Sequence, residues 1–170
     1  VWSAGTVSAQ AVWPDVSDAT LEGQPAANDA ALLVGVEDYA FVPDVPGAVE
    51  NINDWYTFMT RGRGVPLGQV TLLRNQEATR ERILKEAARV ASEVGEGGTL
   101  WVVFVGHGAP AADGRDGVLV GVDAQQSADG LYARSVSRGE LLAAMKPAGG
   151  QSRVLLLDAC FSGLTGSGEP

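Results

Sequence analysis

The chain contains one cysteine and one histidine, and both come directly after an apolar run. His107 stands between two glycines after Leu100–Val105, and Cys160 follows Arg153–Asp158, 53 positions further along the chain. A thiolate is a strong nucleophile near neutral pH, and an imidazole can accept its proton and later donate it to a leaving amine. Cys160 and His107 are therefore candidates for the nucleophile and the general acid–base of a cysteine hydrolase.

Each of these residues has a simpler explanation when it is taken alone. A lone cysteine at a strand end often serves as a small buried apolar residue, and a histidine between two glycines can be an ordinary turn residue. Their matching positions favour the catalytic interpretation, because ligands bind beyond the carboxyl ends of the strands in open α/β sheets.

The elements that must position these two residues alternate along the chain. Apolar runs predict strands at residues 31–36, 70–73, 100–105, 118–122 and 153–158. Helical spacing predicts helices from the turn at 43–46 to about Thr60, from Thr79 to Gly95, and after a capping box at Ser137–Glu140. Alternating strands and helices predict an α/β fold, with a mainly parallel sheet covered by helices on both faces. Residues 1–30 are expected to form an N-terminal arm and residues 31–170 the domain.

Composition narrows the classes of function. The 170 residues are 45% hydrophobic and 19% charged, which is typical of a single globular domain. The net charge of −9 and the scattered basic residues argue against nucleic acid as a partner. The apolar runs fall far short of the ~20 residues that cross a bilayer, so no membrane is expected. The compartment stays open, with a cytoplasmic location favoured and export as the alternative, because the chain begins with Val.

A single cysteine cannot close an intrachain disulfide, and one cysteine with one histidine cannot assemble a conventional zinc site. Four loop acids could suggest calcium, but their spacing is irregular and no bidentate glutamate follows, so a solvated loop is favoured; they are Asp113, Asp116, Asp123 and Asp129. We expect no metal, no cofactor and no requirement for calcium.

The sequence around the candidate pair resembles the caspase-like cysteine peptidases. The motifs are Gly-His-Gly at 106–108 and Asp-Ala-Cys-Phe-Ser-Gly at 158–163, with histidine about 50 residues before cysteine. Residues 32–36 and the Pro-Gly-Ala-Val turn at 46–49 are similar to the bacterial metacaspase-like (orthocaspase) branch. The resemblance covers roughly residues 31–163. It implies a caspase-like α/β/α sandwich, with Cys160 as nucleophile, His107 as acid–base, and the N–H groups of Gly108 and Cys160 as the oxyanion hole.

Substrate preference can be argued from Asp158. Side chains two apart on an extended strand share a side, so Asp158 should place a carboxylate beside Cys160, where a basic side chain would suit it. The resemblance implies the same role, since an aspartate two before the cysteine helps to bind Arg or Lys in the metacaspase-like branch. The alternative is that Asp158 caps nearby backbone N–H groups.

The resemblance also assigns Ala48, Asn51 and Val105 to the substrate pocket. The family's usual Asn-Asp after the Gly-Ala turn is Glu50-Asn51 here, and its serine before Gly-His is Val105. We therefore expect a less acidic pocket than is usual in the family. The turn carries no arginine of the kind that selects aspartate in animal caspases, so aspartate specificity is not expected.

The resulting hypothesis is a cysteine endopeptidase that cleaves protein or peptide substrates after Arg more readily than after Lys and is activated by processing. Arg134 and Arg138 are candidate self-cleavage points. Caspase-like folds continue past the nucleophile with further strands, so residues 31–170 are expected to be the large-subunit part, with the protein's own C-terminal small subunit as partner.

Two alternatives belong to other classes. Glu37 and Asp38 after the first strand and Asp158 after the last are similar to the acidic pocket of phospho-receiver domains, which would make the chain a Mg²⁺-binding signalling module. That interpretation gives no role to His107 or Cys160. A catalytically idle caspase-like scaffold is the other alternative, and the intact Cys-His pair argues against it.

Overall fold

The structure, a computed structural model, describes residues 25–146 and 149–161. Most of the arm predicted for residues 1–30 lies outside these residues, as do Ser162 and Gly163 of the cysteine motif.

Seven strands form two sheets in the described part of the chain. They are β1 (Ala30–Gly35), β2 (Val70–Arg74), β3 (Thr99–Val105), β4 (Gly108–Pro110), β5 (Gly117–Val120), β6 (Ser135–Ser137) and β7 (Ser152–Asp158). The main sheet is parallel with the order β2-β1-β3-β7, and the smaller one is antiparallel with the order β4-β5-β6. Every residue of β1 is buried, as expected for the continuous apolar run that forms a central parallel strand.

Within residues 25–146 and 149–161, four α-helices accompany the strands, namely α1 (Ala48–Thr57), α2 (Arg80–Glu93), α3 (Ala128–Ala133) and α4 (Arg138–Ala144). The hydroxyl of Thr79 accepts a hydrogen bond from the Arg82 N–H at the start of α2, and the predicted capping box is present at Ser137 and Glu140. The sequence predicts that the first helix ends at about Thr60. Its α-helical part ends at Thr57, and a π-helical turn over Phe58–Gly62 follows it directly.

The helices cover both faces of the main sheet, because side chains of a strand alternate between its faces. Leu32 and Val34 of β1 lie in a first core with Ile83 of α2 and Leu141 of α4. On the opposite face, Leu33 lies in a second core, which also contains Ala48 and Ile52 of α1. The fold is thus α/β, and that prediction is confirmed.

The structure adds elements that were not predicted. Strands β4 and β6 are three residues long, too short for a period to be visible in the sequence. Helix α3 was also not predicted, although the Ser127 hydroxyl accepts from the Gly130 N–H as a conventional N-cap. No helix among the described residues has the length and the apolar character needed to traverse a membrane.

Candidate active site

The pairing of β3 with β7 brings the two candidate catalytic residues together. Val105, the last residue of β3, pairs in register with Asp158, the last residue of β7. His107 and Cys160 each follow these paired residues by two positions, so both lie just beyond the carboxyl ends of their strands. Neighbouring strands lie about 4.8 Å apart, and the two residues therefore lie in adjacent loops. Cys160 is exposed and His107 is partly buried.

The loop that follows β3 touches the loop that follows β7 at Gly108. A Cβ at Gly108 would lie 3.0 Å from the carbonyl oxygen of Cys160 and 2.8 Å from the ring of Phe161. Only glycine allows this approach without a shift of one loop. Gly108 and Cys160, the two predicted oxyanion-hole residues, are therefore neighbours.

The tautomer of His107 follows from its hydrogen bond to the backbone. Its Nε2 atom lies 2.8 Å from the carbonyl oxygen of Pro43. Because a carbonyl oxygen can only accept, Nε2 must carry the proton and donate it. The other ring nitrogen, Nδ1, then has the lone pair that can accept a proton.

Tyr39 holds the main chain of His107. The His107 N–H donates to the tyrosine hydroxyl oxygen at 2.8 Å, and the two rings lie 4.9 Å apart between centroids. Tyr39 is only 8% exposed, and burial raises its pKa to about 12, an effect that the bond from the His107 N–H partly offsets. The phenol is therefore neutral at physiological pH. A Cβ at Gly106 would lie 2.7 Å from the same hydroxyl, so this glycine admits the tyrosine.

Asp158 is exposed beside the candidate nucleophile. Its Oδ2 atom accepts a hydrogen bond of 3.0 Å from the Asn51 side-chain amide, and its carbonyl oxygen accepts from the Gly106 N–H at 3.2 Å. In the structure, the hydrogen-bond partner of the Asp158 carboxylate is thus the side-chain amide of Asn51 on α1. Asn51 and Asp158, both assigned to the substrate pocket, are brought together.

Ala48 and Val105, the other two residues assigned to the substrate pocket, are buried. They are 2% and 4% exposed and belong to the second core. Their side chains are not open to solvent, so in this structure they do not present a surface to a substrate.

The candidate self-cleavage residues lie at the start of regular elements. Arg134 pairs with Asp123 and precedes β6 directly, where Ser135 is buried. Arg138 is the first residue of α4 and pairs with Asp116 at 2.8 Å. Cleavage after either arginine would require local unfolding of β6 or of the first turn of α4.

The remaining acids have separate partners. Glu37 accepts from the Val49 N–H at 3.0 Å, whereas Asp38 accepts from the Asn75 amide at 2.7 Å. Asp113 accepts from the Arg115 N–H at 3.0 Å. Among residues 25–146 and 149–161, no three His, Cys, Asp or Glu side chains are grouped to hold a metal ion.

Sequence reasoning did not single out Tyr39, Pro43 or Phe161. Pro43 acts through its carbonyl oxygen, which every residue possesses, so its type carries no signal. Tyr39 had a usable signal, since a tyrosine soon after a buried strand can reach the same sheet edge as His107. Phe161 was read only as part of the cysteine motif.

Comparison with known proteins supports the fold. No family model matches the chain, and no curated protein matches it. The solved structure of protein GSU0716 from Geobacter sulfurreducens is similar, with a TM-score of 0.65 at 21% sequence identity. The match covers 81% of this chain and 52% of that protein, so this chain spans about half its length. At this level of identity the likeness shows the α/β fold, and the chain is similar to that protein in architecture.

Proposed function

We propose that this chain carries the catalytic centre of a caspase-like cysteine endopeptidase that cleaves after a basic residue. The observation that carries the proposal is the register of Val105 with Asp158, because His107 and Cys160 each follow the ends of these two adjacent strands by two residues. The carbonyl of Pro43 supports it further, because it fixes the tautomer in which His107 can act as a base.

The first half of the proposed reaction forms an acyl-enzyme. Nδ1 of His107 accepts the Sγ proton of Cys160, and the thiolate sulfur bonds to the carbonyl carbon of the scissile peptide. The N–H groups of Gly108 and Cys160 donate to the oxyanion. Nδ1 then donates the proton to the leaving amine, the C–N bond breaks, and a thioester on Cys160 remains.

The second half releases the acid product. Nδ1 of His107 accepts a proton from a water molecule, and the water oxygen bonds to the thioester carbon. The C–S bond breaks, and the proton on Nδ1 returns to the Cys160 sulfur.

The preference for a basic side chain follows from Asp158. Two residues apart on an extended chain, Asp158 and Cys160 should direct their side chains to the same side. Asn51 holds the Asp158 side chain through one carboxylate oxygen. A guanidinium can donate two N–H bonds to a carboxylate and a lysine ammonium is a single point charge, so Arg should be favoured over Lys. Because Asn51 is neutral, the pocket has a single carboxylate at this contact.

A peptidase of this kind would have two partners. One is a protein or peptide substrate with a basic residue before the cleaved bond. The other is the protein's own C-terminal small subunit, for which β7 offers an outer edge in the described part of the sheet.

Covalent labelling tests the proposed nucleophile and its specificity together. A peptide chloromethyl ketone ending in Arg should add once to the full-length gene product, at Cys160, and an Asp-ending analogue should react much more slowly. Asp158→Asn should reduce the rate with the Arg reagent, whereas Asp129→Asn, a matched exposed acid on α3, should not. Equal rates with the Arg and Asp reagents would contradict the specificity.

Turnover tests the proposed pair directly. Cys160→Ala and His107→Ala should each abolish nearly all peptide hydrolysis, and the double variant should be no worse, because groups that act as a unit have non-additive effects. Wild-type hydrolysis by Cys160→Ala would show that the assignment is wrong.

A further inference from the structure

An apolar pocket lies directly beside His107. It has a volume of about 220 Å³, and His107 and Gly108 form one of its walls. Among the described residues, its apolar side chains are those of Val42, Pro43, Ala109, Val120 and Leu131. The mechanism proposed above assigns no role to this pocket.

The pocket and Asp158 lie toward opposite faces of the main sheet. Val120 belongs to the first core, and Val42, Ala109 and Leu131 pack against it. Asp158 pairs in register with Val105, which lies in the second core, and it bonds to Asn51 of α1 on that same face. A substrate that crosses the site therefore meets a carboxylate on one side and an apolar pocket on the other.

The chemistry fixes which substrate residue lies near His107. The imidazole must donate a proton to the leaving amine, so the residue that follows the scissile bond is on the imidazole side. In an extended peptide, successive side chains point in opposite directions. When the basic side chain reaches Asp158, the next side chain is directed to the opposite side, where the pocket lies.

We propose that this pocket binds an aliphatic side chain of the substrate residue that directly follows the scissile bond. The inference rests on the proposed peptidase function and adds a second determinant of its specificity. A leucine-sized side chain would be favourably transferred from water into contact with the apolar wall of the pocket. A charged side chain would lose its hydration there without a matching partner among the five apolar side chains.

Internally quenched peptides test the inference with the full-length gene product. The peptides share an Arg before the scissile bond and differ only in the next residue, which is Leu, Gly or Asp. We expect kcat/KM for Leu to exceed that for Gly by about tenfold, with Asp the poorest. Leu131→Ala and Val42→Ala should each lower the Leu-to-Gly ratio. Leu142→Ala, an exposed leucine on α4 that does not line the pocket, should keep the wild-type ratio.

The outcomes separate this inference from the proposed function. Cleavage after Arg with equal kcat/KM for Leu, Gly and Asp would overturn the pocket assignment and leave the peptidase proposal standing. A Leu preference that survives in both the Leu131 and the Val42 variants would also overturn it. Failure to cleave any of the peptides would overturn the proposed function and the pocket together.

Discussion

Tyr39 connects the candidate base to the hydrophobic core. Its ring is buried, while its hydroxyl accepts the His107 N–H at 2.8 Å. The position of the imidazole therefore depends on a residue that takes no part in the proposed proton transfers. This arrangement also gives the phenol a pKa of about 12, because burial disfavours the charged form.

The raised pKa of Tyr39 predicts a loss of stability at high pH. The unfolded chain releases the phenol proton near pH 10, whereas the folded chain keeps it until about pH 12. Folding therefore retains a proton between these values. The contribution to the free energy of unfolding is complete below pH 10 and falls by about 3 kcal/mol as the pH rises to 12.

Urea denaturation of the wild type and of Tyr39→Phe between pH 8 and 11 measures this contribution. The variant should be less stable by about 1 kcal/mol at pH 8, since the His107 N–H loses its acceptor, and its stability should fall less steeply above pH 10. Tyr56→Phe on α1 is the matched control and should retain the wild-type slope. Identical slopes for Tyr39→Phe and the wild type would contradict the burial argument.

The sequence was informative at this scale only where a residue type carries chemistry. Cys160 and His107 were predicted as a candidate catalytic pair from their types and their positions after apolar runs, and the pair stays a prediction. The bond from Asn51 to Asp158 was not predicted as a contact, because the two residues are 107 positions apart and meet only through the packing of α1 on the sheet. The carbonyl of Pro43 could not be predicted from residue type at all.

At the scale of elements, the site depends on contact between the loops after β3 and β7. Gly108 is on strand β4 and Gly117 is on strand β5 of the β4-β5 hairpin. Both glycines face the ring of Phe161. A Cβ at Gly117 would lie 2.6 Å from that ring. The hairpin and the cysteine loop therefore fit together only because both positions are glycine.

Gly108→Ala should impair catalysis more than it impairs folding. The added methyl would lie 3.0 Å from the Cys160 carbonyl oxygen and should push the cysteine loop away from His107. A displacement of about 1 Å at such a site can cost about a hundredfold in rate, so we expect a loss of that order in kcat/KM for an Arg peptide.

The matched control is Gly68→Ala, because a Cβ there has no heavy atom within 4 Å. This variant should retain wild-type kcat/KM. A Gly108→Ala enzyme with unchanged turnover would show that the cysteine loop can accommodate the added methyl and that the close approach at Gly108 is not required for catalysis.

Elements were predictable in proportion to their length and burial. The apolar runs predicted β1 and β3, because a strand covered on both faces needs apolar residues at nearly every position. The run at 153–158 predicted β7, although that strand is only partly buried. The hairpin strand β4 is three residues long and contains Gly108 and Pro110, which are typical of a turn. Its pairing with β5 stabilises it, and no local pattern could reveal that.

For the whole molecule, the main asymmetry lies between the centre and the β7 edge of the sheet. Every residue of β1 is buried, whereas Val154, Leu155, Leu156 and Leu157 of β7 are only partly buried. In the described part of the chain, β7 pairs with β3 alone. An edge strand with partly exposed apolar side chains favours pairing with another segment.

We therefore predict that residues 1–170, expressed alone, associate and lack peptidase activity. The outer edge of β7 and its leucines should pair between copies, although the net charge of −9 opposes contact between them. Sedimentation velocity would then show species larger than the 17.6 kDa monomer.

Co-expression with the segment encoded downstream should give a single defined species that hydrolyses Arg peptides, because this segment would cover the edge and complete the pocket. Val154→Lys should reduce self-association of residues 1–170, since a lysine on the edge strand is costly to desolvate, whereas Leu67→Lys, at an exposed position outside β7, should not. A soluble, fully active monomer of residues 1–170 would show that β7 needs no partner and that the small-subunit proposal is wrong.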